Sequence, residues 1–255
     1  MRIVSLCPSL TELVFDLGAG QELVGRTKFC VHPAGLVDAV EKVGGTKNPK
    51  VERIIALAPD LVLMNEEENR AEDAEALRRA GLRIHASLPR TAAETAAMVR
   101  SIGIALHRPR EAEGIAADIE RRADRVRRDA ARYPPVRYAA LIWREPLMAV
   151  NDDTFIAGLL SLPGGRNVFG ARPDRYPVVS TQELHDADPL VVLLPSEPYP
   201  FQDRHADELA AATGLPRARF RLADGELLSW HGSRTPQGID YAERLLREQG
   251  MGNRE

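Results

Sequence analysis

The chain has 255 residues, 44% of them hydrophobic and 28% charged, with a formal net charge of −3 at pH 7. Such a length and balance describe a globular protein with a sizeable core, as one large domain or two lobes. No basic tract or aromatic-basic stripe offers a surface for nucleic acid, and no apolar run approaches the roughly 18 residues a membrane-spanning helix requires.

The chain opens on Arg2 to Leu6, which reads as a core strand. No positive n-region, apolar h-region or cleavage site precedes it, so the expectation is a cytoplasmic protein, or a periplasmic or cell-surface one if Met1 replaces a removed leader. Cys7 and Cys30 form no C-x-x-C, which argues against a zinc ribbon or thioredoxin-type site, and they read as free thiols. Ser9 and Glu12 fit a capping box ahead of a helix whose face is Leu10, Leu13, Val14 and Leu17, with Gly18 as its C-terminal stop.

The same unit recurs downstream. Val51–Leu57 reads as a short helix, Leu61–Met64 as a buried strand, Ala71–Ala80 as a helix stopped by Gly81, and Leu82–Ala86 as a strand. Thr91 and Glu94 form a second capping box, opening a helix to about His107. From Arg110 to Arg132 no strand signal and no proline interrupts a charged helix with an apolar stripe at Ile115, Ile119, Ala123, Val126 and Ala130. At about 23 residues it is roughly 34 Å long, and its mid-chain position predicts a connecting helix. Alternation then restarts with strands at Tyr138–Trp143 and Leu147–Val150, a helix at Thr154–Leu162, a third capping box at Ser180 and Glu183, and a buried strand at Leu190–Leu194. A helix near Asp203–Ala212, a strand at Arg219–Leu222 and a helix at Gln237–Glu248 close the chain.

The halves rhyme. Val51-Glu52-Arg53-Ile54 leads through Pro59 into Leu61–Met64, and Thr181-Gln182-Glu183-Leu184 leads through Pro189 into Leu190–Leu193. Alternating strands and helices imply mainly parallel sheets. The predicted fold class is therefore α/β, with two similar lobes joined by one long rigid α-helix. The predicted boundaries are 1–108 for the N-terminal lobe, 109–134 for the connecting helix and 135–255 for the C-terminal lobe.

Catalytic motifs are missing. Gly18-Ala19-Gly20 lacks the third glycine of a dinucleotide loop, and no P-loop, G-x-S-x-G or H-E-x-x-H occurs. In open α/β sheets ligands sit beyond the carboxyl ends of strands. Those positions in the first half are Pro8, Ser9, Cys30, His32, Asn65 and Arg90. In the second half they are Trp143, Arg144, Tyr199, Trp230, His231 and Arg234. Both tryptophans fall there although only 5% of the chain is aromatic, as a large flat ligand requires for stacking. Arg70, Arg90, Arg144 and Arg234 would suit an anionic ligand. Cys30-x-His32 and His231 raise direct metal ligation, although hydrogen-bonded histidines are the commoner case. Glu66-Glu67-Glu68 reads as a solvated run ahead of a helix.

Several stretches together carry a resemblance: Arg2–Leu6 with Pro8-Ser9 and Thr11-Glu12; Leu17-Gly18 through Leu23-Val24-Gly25; Val43–Thr46; Pro59–Leu63; and Gly164–Phe169. In that order and spacing they resemble the helical-backbone metal-receptor family, the cobalamin and ferric-siderophore substrate-binding proteins of ABC importers. The resemblance implies a non-enzymatic, monomeric protein with no intrinsic cofactor. It implies a cleft between two lobes holding a small metal chelate, such as a cobalamin, another corrinoid or an iron chelate, for an ABC permease. It also implies a glutamate on each lobe that docks onto the permease. Glu52 matches the first, while the second falls on Gln182 with Glu183 beside it. Asn65 departs from an aromatic found in some cobalamin-binding members. The alternative reading is a cytosolic enzyme or chaperone acting on a corrinoid or a metal.

Overall fold

The computed structural model describes residues 1–251. They form two α/β units. The first comprises Met1–Pro89, Glu94–Asp118 and His231–Arg234, and the second comprises Arg90–Ala93, Ile119–Trp230 and the chain from Thr235.

The first unit holds β1 (Ile3–Ser5), α1 (Pro8–Asp16), β2 (Leu23–Arg26), β3 (Glu41–Lys42), α2 (Val51–Ala56), β4 (Leu61–Asn65), α3 (Ala71–Arg79) and β5 (Ile84–Ser87). Its five strands run in the order β3-β2-β1-β4-β5 with every neighbouring pair parallel. β1 and β4 lie inside the sheet, covered on both faces, so they read as unbroken apolar runs without alternation. Val4, Leu6, Val62 and Met64 pack with Val43, Ile54, Ala74 and Leu77 in one core cluster.

α4 (Ala92–Ala105) follows, and then α5 (Pro109–Ala130), the long mid-chain helix. Its residues to Asp118 belong to the first unit and those from Ile119 to the second. Its buried stripe is Ala112, Ala116, Ile119, Ala123 and Val126. Ile119, Ala123 and Val126 are shared with the expected stripe, while Ile115 and Ala130 are only half-buried and Ala112 and Ala116 extend it at the N-terminal end.

The second unit holds β6 (Val136–Trp143), β7 (Met148–Ala149), α6 (Phe155–Ser161), β8 (Gly165–Asn167), α7 (Thr181–Asp186), β9 (Val191–Pro195), α8 (Asp203–Thr213), β10 (Phe220–Ala223), α9 (Gly225–Ser229) and α10 (Thr235–Met251). The sheet order is β10-β9-β6-β7, with β8 also paired to β6. All pairs are parallel except β6 with β7. The internal rhyme extends to the backbone. In each half the residue before the proline adopts a left-handed conformation without being glycine, Ala58 at φ 44° and Asp188 at φ 40°.

Two capping expectations have opposite outcomes. Ser180 caps α7: its Oγ accepts from Glu183 N at 3.1 Å, while Glu183 Oε2 accepts from Ser180 N at 2.8 Å. The Ser9–Glu12 box does not form. Pro8, with no N–H to satisfy and a helix-ready φ, takes the first helical position, so Cys7 is the N-cap and makes no side-chain cap. Ser9 and Glu12 thus lie inside α1 and bond residues far along the chain.

The Ser180 N–H, then the Arg172 guanidinium and the Ser180 hydroxyl, hold the Glu183 carboxyl down at about 2. Its contribution to stability is complete above the ordinary glutamate range and disappears as pH falls toward 2. Ser180→Ala is expected to cost about 1 kcal/mol of unfolding free energy at pH 7 by urea titration. Ser9→Ala removes no cap, and its effect should reach the protein through His231 instead.

Candidate functional site

The carboxyl ends of the first unit's strands converge on one buried histidine. His231 Nδ1 lies 3.0 Å from Ser9 Oγ, and its Nε2 lies 2.7 Å from Asn65 Nδ2. Asn65 ends β4. Its Oδ1 accepts from the backbone N–H groups of Glu67 and Glu68, each at 3.0 Å, and its Nδ2 also donates to Ser87 O at 3.0 Å. These partners fix the amide's orientation. Nε2 must therefore accept, and Nδ1 carries the proton and donates to Ser9. Burial pushes the imidazole's pKa below the ordinary histidine value, against smaller opposing effects of a backbone hydrogen bond and of the Glu67 charge.

A serine beside a histidine suggests a nucleophile and its base, but here the proton sits on the histidine nitrogen facing the serine. That imidazole cannot take the Ser9 proton. Ser9 is 5% and His231 7% exposed, so the pair is a structural bridge and both ring nitrogens are occupied. Four residues after Asn65, Asn69 extends the network. Its Oδ1 accepts from Asn65 N at 2.9 Å, and its Nδ2 donates to Leu6 O and Thr46 O, each at 3.0 Å. Asn69 was not singled out as a site residue, and the amide spacing behind β4 is the signal that marks it.

Pro8 is half-buried at the start of α1. Cys30 is buried, with its Sγ 3.0 Å from Thr11 Oγ1 and 3.1 Å from Thr27 Oγ1. Burial raises the Cys30 thiol, and burial with the nearby Glu68 charge pushes Cys7 up to about 12. Both thiols are free, and neither is a thiolate at neutral pH. His32 lies half-buried in the loop after β2. Among the described residues, no group of three or more His, Cys, Asp or Glu side chains is placed to hold a metal ion. The same loop presents Phe29, Val31 and Leu36, which are 50%, 52% and 64% exposed.

In the second unit the rings gather behind β6 and β9. Trp143 is 41% exposed, its indole meeting Tyr199 edge-on at 5.6 Å and donating to Glu145 O at 3.1 Å. Tyr199 packs in turn on Phe201 at 4.8 Å and His205 at 5.4 Å. Trp230 is only 9% exposed, and its Nε1 donates to Glu197 Oε1 at 2.5 Å. The accessible face for stacking is therefore Trp143. Glu197, directly behind β9, also accepts from Ser229 Oγ at 3.2 Å.

The four arginines all face carboxylates. Arg70 pairs with Asp73, and Arg90 with Asp153 at 2.8 Å. Arg144 pairs with both Glu145 and Glu208, its Nε buried without a partner. Arg234 grips Glu12 through two nitrogens, at 2.5 and 3.0 Å. Gly158 lets the Arg90 backbone pass close to α6: a Cβ there would sit 2.0 Å from Arg90 O.

The periplasmic binding protein family model matches residues 3–216. The chain belongs to that family. Members of that family are binding proteins. A vitamin B12-binding protein of Vibrio cholerae is 27% identical over 249 residues, covering 96% of this chain and 87% of that protein. The solved periplasmic vitamin B12 binding protein BtuF of Vibrio cholerae superposes with a TM-score of 0.85 at 22% identity, covering 98% of both chains. The periplasmic heme-binding protein RhuT from Roseiflexus sp. RS-1 superposes with a TM-score of 0.84 at 24% identity, covering 98% of this chain and 99% of that one. These likenesses show the fold of this periplasmic binding protein.

The bridge yields a measurable consequence. His231→Ala leaves the Ser9 hydroxyl and Asn65 amide buried without their partner, at a cost of roughly 2 kcal/mol or more. Because the folded imidazole binds its proton more weakly than the unfolded one, stability contributed at His231 is complete above the ordinary histidine range and falls as pH drops through it. Urea titrations should show wild type losing more stability than His231→Gln between pH 7 and pH 5. Equal losses would contradict a neutral, buried His231.

Proposed function

We propose that the protein is a substrate-binding component of an ABC importer, holding a cobalamin or other corrinoid, a haem-like chelate or a ferric siderophore reversibly. The observation that carries this reading is apolar surface at the ends of the strands. Trp143 in the second unit and Phe29, Val31 and Leu36 in the first stand exposed on loops after parallel strands. Such positions favour binding a large, flat, partly apolar ligand. The relatives that bind vitamin B12 and heme support the same reading. The metal in this account arrives inside the ligand, so no protein metal centre is required.

The importer reading places the protein outside the cytoplasmic membrane, where cargo is collected. No helix among the described residues is long and apolar enough to cross a membrane. Glu52 is exposed in the first turn of α2, suited to docking onto a basic permease surface. In the second unit Glu183 is committed to Ser180 and Arg172. The exposed neighbour Gln182, which donates to Asp186 at 2.8 Å, occupies the position that rhymes with Glu52.

Titrating the protein with cyanocobalamin, haemin and ferric siderophores while following tryptophan fluorescence should give saturable quenching with at least one chelate. Trp143→Ala should weaken that chelate's binding about tenfold, the effect of losing roughly 1.4 kcal/mol. Absence of quenching and of calorimetric heat for every chelate would contradict the proposal.

A further inference from the structure

Resting on the proposed chelate-binding function, we infer that the preferred chelate has a neutral or amide-rich periphery and not one carrying free carboxylates. Arginines on strand-end loops would ordinarily suggest the opposite, since a guanidinium recognises a carboxylate through paired hydrogen bonds. Here those guanidiniums already have carboxylate partners from the protein. Arg234 uses two nitrogens on Glu12, and their side chains are only 19% and 15% exposed. Arg144 spends both terminal nitrogens on Glu145 and Glu208. Arg70 and Arg90 face Asp73 and Asp153.

Individually the exposed pairs are weak, so their strength alone does not exclude an anion. The surrounding charge does. A ligand carboxylate approaching Arg144 meets Glu145 and Glu208 as like charges, and displacing either one leaves it tethered nearby. Around Arg70, Arg144 and Arg234 the carboxylates equal or outnumber the guanidinium, whereas Arg90 shares Asp153 with Arg175. Glu197, which already accepts from Trp230 and Ser229, adds a further carboxylate in the second unit, and in the first Glu66 and Glu67 add two beside Lys47, whose Nζ donates to Glu67 O. These loops therefore present acceptors. They suit ligand amides and hydroxyls, which donate hydrogen bonds, and disfavour ligand carboxylates, which only accept.

Matched chelates test the inference. Cyanocobalamin is compared with its monocarboxylic acid derivative, in which one side-chain amide is hydrolysed, and ferrichrome with ferric citrate, with haemin as a dicarboxylate. Calorimetric titration at pH 7.5 is expected to show the neutral member of the binding pair at least about tenfold tighter. In a Glu145→Gln/Glu208→Gln variant the difference should shrink several-fold, because Arg144 is released. If the carboxylate member binds as tightly or more tightly, or if haemin alone binds, the charge inference is overturned while the chelate-binding function stands. An unchanged difference in the double variant overturns the role given to Arg144 and its partners. If none of the five probes binds, the function itself fails and takes the inference with it.

Discussion

The first unit's strand ends depend on a neutral imidazole held between a hydroxyl and an amide. Ser9 follows β1, Asn65 ends β4, and His231 comes from a point 222 residues beyond Ser9. A buried polar group without a partner costs more than most single contacts provide, so these three side chains must meet together. Asn65 is itself oriented by two backbone N–H groups and by Ser87 O. That orientation sets the imidazole tautomer and leaves it inert as a base. The short stretch His231–Arg234 belongs to the first unit although its chain neighbours on both sides belong to the second. Within the first unit it is fastened at one end by this bridge and at the other by the Arg234–Glu12 fork.

The same economy of partners governs the arginines. In a protein without an alternative acceptor, a guanidinium on a loop is an invitation to an anion. Here each one faces a carboxylate of its own unit, Glu12 and Asp73 in the first and Glu145, Glu208 and Asp153 in the second, the last shared with Arg175. The accessible apolar surface includes Trp143 and the Phe29–Leu36 loop. Exposed rings beside acceptor-rich loops favour a bulky hydrogen-bond donor over a polyanion.

The alternation of strands and helices was legible in the sequence because period is a local property. Leu61–Met64 and Leu190–Leu194 read as buried strands, and Ser180–Glu183 read as a cap, from neighbouring residues alone. The proline-led rhyme between the halves likewise survives in the backbone at Ala58 and Asp188. What failed to show was anything decided at long range. Ser9 and Glu12 have the spacing of a capping box, but Pro8 starts the helix, and His231 and Arg234 claim the side chains. Trp230 sits between serine, histidine and glycine, a setting that suggests exposure, yet Glu197 takes its indole N–H and the ring is buried. Trp143, which reads equally well as a core residue, is the accessible one. The arginines look available in a sequence because their carboxylates lie on other elements.

The central claim is that this chain holds a chelate and gives it back unchanged. Equilibrium dialysis against a mixture of corrinoids, haemin and ferric siderophores, followed by denaturing release and mass analysis of what the protein retained, tests it directly. The account predicts one chelate retained at close to one per chain and recovered with its mass unaltered. A retained ligand of altered mass would show turnover and contradict the claim, as would a protein that retains none of them.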